Sequence, residues 1–149
     1  MTNELDHPQC EPIRVLVADD EPITRFLTAS KLARLNGHVL EAEDGLSAWD
    51  LLLSQPCQLA VIDLEMPKLD GFGLIQCVRG HPNTKHLPIV VLTSRDDKEA
   101  IERALIAGAT SYLIKPLNWK LFGHHIGHLL ELGREAARGV REPEPVSPK

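Results

Sequence analysis

The stretch QLAVIDLEMPKLDGFGLI, residues 58–75, decides how the rest of the chain is read. Its first seven residues are almost continuously apolar, as suits a short strand buried on both faces. The run reaches a carboxylate, Asp63, and turns at once into a loop rich in acid, proline and glycine. A strand that ends this way holds its aspartate at the rim of a sheet. Met66-Pro67 and Asp70-Gly71 shape the loop and start the next helix.

Four more runs of strand length surround it: IRVLVA (13–18), HVLEA (38–42), PIVVLT (88–93) and SYLIK (111–115). Between and after the strands, residues 21–36, 45–55, 70–80, 96–107 and 117–132 read as helices. In the first of these, Ile23, Phe26, Leu27, Ser30 and Leu35 lie near helical spacing, and Asn36-Gly37 looks like a stop. Gly108 closes the fourth. Strands alternating with helices, the strands apolar on both faces, predict an α/β fold with a parallel sheet covered on both sides. The expected layout is a flexible segment over 1–11, one domain over 12–133 and a disordered tail over 134–149. The tail, REAARGVREPEPVSPK, has three prolines and no large core residue.

The chain has 149 residues, enough for one ordinary domain, and a formal net charge of −5. That charge argues against a non-specific nucleic-acid binder, which needs a basic face. The opening MTNELDHPQCEP lacks the apolar core of a signal peptide, and no apolar run is long enough to span a bilayer. A cytoplasmic protein with neither nucleic-acid nor membrane partners is the expectation. Cys10, Cys57 and Cys77 are odd in number, widely spaced and read as reduced structural thiols.

Ligands of open parallel sheets bind outside the carboxyl ends of the strands. The first strand ends on Asp19-Asp20, the third near Asp63, the fourth on Thr93-Ser94 and the fifth on Lys115-Pro116. Three carboxylates, a hydroxyl and an ammonium are thus expected on one rim. Carboxylates that close repel one another unless a cation joins them, and oxygen-only ligands suit a hard divalent ion such as magnesium. An ionised carboxylate attacks phosphorus without a general base. Lys115 and a metal would offset charge on a transferring phosphoryl group, and Thr93 would bond one of its oxygens. The set fits phosphoryl transfer onto an aspartate.

ADDE (18–21), DLEMPKLDG (63–71), LTS (92–94) and YLIKP (112–116) together resemble the response-regulator receiver domain of two-component signalling, over about residues 12–133. The resemblance implies a flavodoxin-like, doubly wound sheet of five parallel strands in the order 2-1-3-4-5. It makes Asp63 the phosphoacceptor, charged from a histidine kinase or histidine phosphotransfer protein. Asp20 and Asp63 would bind Mg²⁺ directly, Asp19 through water, and the backbone carbonyl of Glu65 would complete the protein ligands. Lys115 would pair with the phosphoryl group, Thr93 would be the switch hydroxyl and Tyr112 the switch aromatic. Glu65 and Arg95 fall where the family tunes phosphoryl lifetime. Such a domain is not an enzyme in the usual sense; it assists its own phosphorylation and dephosphorylation. Its usual output surface, toward a partner protein or a homodimer, is the helix 4–strand 5–helix 5 face, where Ala100, Ala104 and Ala107 should pack inward beside part-exposed Ile101 and Leu105.

Each signal has a structural counterpart. Acids before Pro22 also favour a helix start, and Lys115-Pro116 also suits a corner. It is the four motifs at four strand ends that favour chemistry. His124 and His128 share a helix face but lack a third ligand, so solvated histidines are the better reading. Gly123 and Gly127 should weaken the last helix, and Trp49 and Trp119 should be packing residues. Phe122, Ile126, Leu129 and Leu130 follow core spacing. The rival readings are a receiver segment or phosphorelay intermediate of a larger kinase system, an unphosphorylated scaffold, and a Mg²⁺-dependent phosphohydrolase with an aspartyl nucleophile. The last would want a D-x-D pair after the first strand, where this chain has ADDEP.

Overall fold

Each apolar run forms a strand: β1 (Ile13–Ala18), β2 (Gly37–Ala42), β3 (Leu59–Asp63), β4 (Ile89–Thr93) and β5 (Ser111–Ile114). The helices are α1 (Pro22–Arg34), α2 (Gly45–Ser54), α3 (Gly71–Arg79), α4 (Lys98–Ala107) and α5 (Trp119–Ala137). The computed structural model describes residues 13–35, 37–93 and 98–137, with side chains as far as residue 131. The strands form one parallel sheet in the order β2-β1-β3-β4-β5, as the family resemblance implied.

Alternation along the strands sends side chains to two separate cores. Val15, Val17, Val61, Val90 and Leu92 pack with Leu32 of α1 and Phe122 and Ile126 of α5. Leu16, Ile62, Ile89 and Val91 pack with Leu52 of α2, Leu74 and Val78 of α3 and Ala104 of α4. All five residues of β3 and of β4 are buried, which explains why those runs are apolar without alternation. Each fully buried Val, Leu or Ile contributes about 1.5–3 kcal/mol. Trp49 packs against one core with His81 at its edge, and Trp119 lies edge-on to Phe122 in the other, so both are packing residues.

Two local readings change. Gly37 opens β2 instead of capping α1; a Cβ there would stand 2.8 Å from the Leu32 carbonyl oxygen, so the glycine permits close passage of strand under helix. α5 continues to Ala137 instead of ending near 132, because Glu131-Leu132 and Arg134 to Ala137 are good helix formers on both sides of Gly133. Its last turn thus overlaps the expected tail. Residues 138–149, the segment 1–12 with Cys10, Asn36, and Ser94 to Asp97 lie outside the described residues.

Glycines at different places have opposite roles. A Cβ at Gly45 would fall 1.9 Å from the Leu69 carbonyl oxygen, whereas one at Gly123 or Gly127 would meet nothing within 4 Å. In urea unfolding, Gly123→Ala and Gly127→Ala are each expected to stabilise the protein by about 0.5–1 kcal/mol through helix propensity. Gly45→Ala is expected to destabilise it by about 1–3 kcal/mol.

Candidate phosphoacceptor site at the carboxyl ends of β1, β3 and β5

The order of the sheet sets β1 beside β3, so their terminal carboxylates meet. Asp19 extends the β1 ladder by one residue, its N–H donating to the Ala42 carbonyl at 3.0 Å. Its side-chain Oδ1 accepts the Glu21 N–H at 3.0 Å, closing a tight turn into Pro22 and α1. Asp63 repeats the arrangement: Oδ1 accepts the Glu65 N–H at 3.1 Å. Both carboxylates turn the chain with one oxygen and leave Oδ2 for a shared partner.

That partner is Lys115. Its Nζ donates to Asp19 Oδ2 at 3.2 Å and to Asp63 Oδ2 at 3.1 Å, and its own N–H extends the β4–β5 ladder to the Thr93 carbonyl at 2.7 Å. Asp19 is fully buried and Asp63 is 7% exposed, while Asp20 faces solvent. Oxygens of Asp19, Asp20 and Asp63 all lie within 4.8 Å of one another. Thr93 is buried at the end of β4, one residue past Leu92, the register partner of Asp63. Glu65 follows on the exposed side of the loop. Arg95 lies outside the described residues, and so does any pairing with Glu65.

The loop after Asp63 is fixed by close packing. Leu64 N–H donates to the Leu92 carbonyl at 3.2 Å, and Gly71 N–H donates back to the Leu64 carbonyl at 2.9 Å. A Cβ on Gly71 would stand 2.6 Å from Leu64 Cα, so only glycine lets α3 start against the end of β3. Asp70 caps α3 by accepting the Gly73 N–H at 2.9 Å.

Burial pushes the Asp63 carboxyl up to about 6; the Glu65 N–H and the Lys115 ammonium oppose the shift and the Asp19 charge adds to it. Burial acts to lower the Lys115 pKa, but the charges and hydrogen bonds of Asp63 and Asp19 outweigh it and hold it above its ordinary value. The donor set is three carboxylates and no nitrogen or sulfur, which fits a hard divalent cation such as Mg²⁺. Asp20, open to solvent, is the carboxylate with room to turn to a cation, whereas Asp19 and Asp63 each already hold a backbone N–H and Lys115.

Sequence reasoning missed Arg25 and the concavity beside Lys115. From α1, Arg25 Nη1 donates to the Asp19 carbonyl at 2.8 Å and Nε to Glu41 Oε1 at 3.3 Å. Its position six residues after Asp19 carries no signal of that contact. The concavity, about 460 Å³, is lined by Thr24, Leu27, Pro116, Leu117 and Trp119 along with Lys115.

The sequence matches the family model for the response regulator receiver domain over residues 15–126. This chain belongs to that family. Among curated relatives, a "Probable chemotaxis protein CheY" of Rhizobium etli is 37% identical over 107 residues, 71% of this chain and 83% of that one. The chemotaxis response regulator CheY4 of Vibrio cholerae, 26% identical, superposes with a TM-score of 0.75 over 79% of this chain and 98% of its own. The receiver domain of a Pseudomonas aeruginosa sensor histidine kinase, solved with a magnesium ion coordinated in its active site cleft, shares the fold at 24% identity and a TM-score of 0.75, over 80% and 98% of the two chains. The protein is a two-component receiver domain, a class of signalling phosphoacceptor.

The raised Asp63 pKa has a consequence for the metal-free domain. A carboxyl whose folded pKa lies above its unfolded value adds stability below the unfolded pKa and loses it as pH rises through about 6. In EDTA, Asp63→Asn is therefore expected to match wild type near pH 4 and to be more stable by about 1–2 kcal/mol at pH 7, after allowing for solvent screening. Denaturant unfolding at both pH values checks this; equal stability at pH 7 contradicts it.

Proposed function

We propose that Asp63 accepts a phosphoryl group from a phosphohistidine on a histidine kinase or histidine phosphotransfer protein, and that the domain signals by docking another protein. The observation that carries this is Lys115 bridging Asp19 and Asp63 beside the exposed Asp20. An Asp63 oxygen attacks phosphorus; the P–O bond forms as the P–N bond breaks and returns its electron pair to the imidazole ring. Lys115 stays an ammonium throughout and holds charge on the phosphoryl group once Asp63 is esterified. The Thr93 hydroxyl donates to a phosphoryl oxygen. Asp19, Asp20, Asp63 and the Glu65 carbonyl would hold magnesium, which when bound neutralises charge on the phosphoryl oxygens.

The phosphodonor would approach over α1. Ile23 and Phe26 are 68% and 65% exposed on the same helix whose Thr24 and Leu27 line the concavity with Leu117 and Trp119, an apolar surface suited to a helical partner. A cytoplasmic location goes with such a partner; among the described residues no helix is long and apolar enough to cross a membrane. Output is assigned to the α4–β5–α5 face. Ala100 and Ala104 are buried under α4, while Leu105, Ile106 and Tyr112 are exposed.

Intact mass after incubation with acetyl phosphate and Mg²⁺ tests the acceptor. Wild type is expected to gain one phosphoryl group, and Asp63→Asn or wild type in EDTA to gain none. An equal gain in Asp63→Asn sinks the assignment, and steady turnover of a phosphate ester would instead favour a phosphohydrolase. For output, Leu105→Glu is expected to keep phosphorylation but to lose phosphorylation-dependent dimerisation or partner binding in sedimentation. Unchanged association would move the output surface elsewhere, most simply to α1.

A further inference from the structure

Asp20 differs from its neighbours in the acidic cluster. It is exposed, and its carboxylate has no hydrogen bond or ion pair among the described residues, whereas Asp19 and Asp63 are each held by a backbone N–H and by Lys115. The direction of Asp20 is therefore set by its backbone. The peptide plane before it contains the Asp19 carbonyl and the Asp20 N–H and Cα, and moves as a unit. Asp19 is held at its N–H by the Ala42 carbonyl, and at its own carbonyl by Arg25 Nη1 at 2.8 Å. Arg25 is braced in turn through Nε on Glu41 of β2, and its side chain is 19% exposed. The guanidinium fork thus ties three elements, α1, the end of β1 and β2, around one carbonyl.

We propose that Arg25 is a positioning residue: by fixing the Asp19–Asp20 peptide plane it aims the Asp20 carboxylate at a divalent cation and so sets the affinity of this site for Mg²⁺. The proposal rests on reading the cluster as a magnesium-dependent phosphoacceptor site.

Two effects of Arg25 oppose each other. By charge alone, a guanidinium near three carboxylates repels a metal ion, and removing it would tighten binding. Its pairing with the half-exposed Glu41 leaves little net charge, and solvent screens what remains. Geometry acts the other way. Mg²⁺ demands near-octahedral oxygens at short range, so a swung carboxylate loses affinity steeply. Loss of a residue that orients a ligand typically weakens metal binding about 10–100-fold. Positioning therefore wins, and the sign of the change decides between the two.

The test is calorimetric titration of the full chain with MgCl₂ and no phosphodonor, for wild type, Arg25→Met, Arg25→Ala and Arg25→Lys. Phosphorylation rates with acetyl phosphate are then measured across Mg²⁺ concentrations. Arg25→Met keeps the apolar stem and loses both hydrogen bonds, so it decides the matter if Arg25→Ala does not fold. Arg25→Met is expected to bind Mg²⁺ about tenfold more weakly. Its half-saturating Mg²⁺ should rise in step while the maximal rate at saturating metal is largely kept, a split that a loss of stability alone would not give. Arg25→Lys should fall between, since an ammonium replaces the fork with one compact head. Equal or tighter Mg²⁺ binding in Arg25→Met, or a fall in maximal rate with affinity unchanged, overturns the proposal and leaves the phosphoacceptor reading standing. A wild type that binds no Mg²⁺ and takes no phosphoryl group overturns both.

Discussion

One ammonium holds the site together. Asp19 and Asp63 end neighbouring strands, both largely buried, and their Oδ2 atoms share Lys115 Nζ at 3.2 and 3.1 Å. Without a cation, two buried carboxylates so placed repel each other and lose hydration. The lysine comes from β5, which is two strands from β3 and three from β1. With strands about 4.8 Å apart, roughly 10 Å of sheet separates the lysine's strand from β3, and its head must reach out across that gap to meet the Asp63 carboxylate. A long, flexible side chain leaning over the end of β4 can do that. The backbone of Lys115 is pinned for the purpose, its N–H bonded to the Thr93 carbonyl.

The two carboxylates serve structure and chemistry at once because each has two oxygens. Oδ1 of each accepts a backbone N–H two residues on and so turns the chain off the sheet, into α1 in one case and into the α3 loop in the other. Oδ2 faces the lysine. This division leaves Asp20 as the open member, and it explains why neighbouring aspartates in one dipeptide have such different surroundings. The local cost of burying a carboxylate here, to which the Asp19 charge adds, appears in the raised Asp63 pKa. It is offset by two hydrophobic cores, one on each face of a sheet whose central strands are wholly buried.

Much of this was legible in the sequence, for identifiable reasons. Buried parallel strands have to be apolar throughout, so β3 and β4 announce themselves, and a polar residue ending such a strand must lie at its rim. That logic found Asp63 and Thr93 before any coordinates, and the resemblance at four strand ends supplied the strand order. The strand-end logic by itself could not say which of Asp19 and Asp20 is buried, because that depends on the turn at Glu21 and on a lysine 96 positions away along the chain. Nor could it read Gly37, whose purpose is clearance beneath Leu32. Arg25 stayed invisible because its partners are a backbone carbonyl and a residue on β2, contacts that leave no periodicity. Ile106, 84% exposed on α4, also escaped notice, since helical spacing fixes the buried alanine stripe better than it fixes the face opposite.

The same architecture limits how a change at Asp63 can reach the surface. The ends of β1 and β3 are held by ladder bonds, by carboxylate-capped turns and by a glycine packed too closely to accept a side chain, so they are the more firmly tied side of the site. β5 is different. It is an edge strand, no residue of it is fully buried, and Tyr112 on it is 41% exposed. Its carboxyl end is coupled to the site twice, through the Lys115 ammonium on Asp63 and through the Lys115 N–H on Thr93. On the proposed reading, a phosphoryl group draws on both contacts together, the ammonium by charge and the threonine by its hydroxyl. The softest element joined to both is β5, with α4 and its exposed Leu105 and Ile106 alongside. Such a coupling shifts the populations of arrangements the domain already visits, and it becomes a signal through a partner that binds one of them better. On that reading the firmly tied ends of β1 and β3 matter as much: if they yielded as easily as β5, the new charge would be absorbed at the site instead of being passed toward α4 and β5.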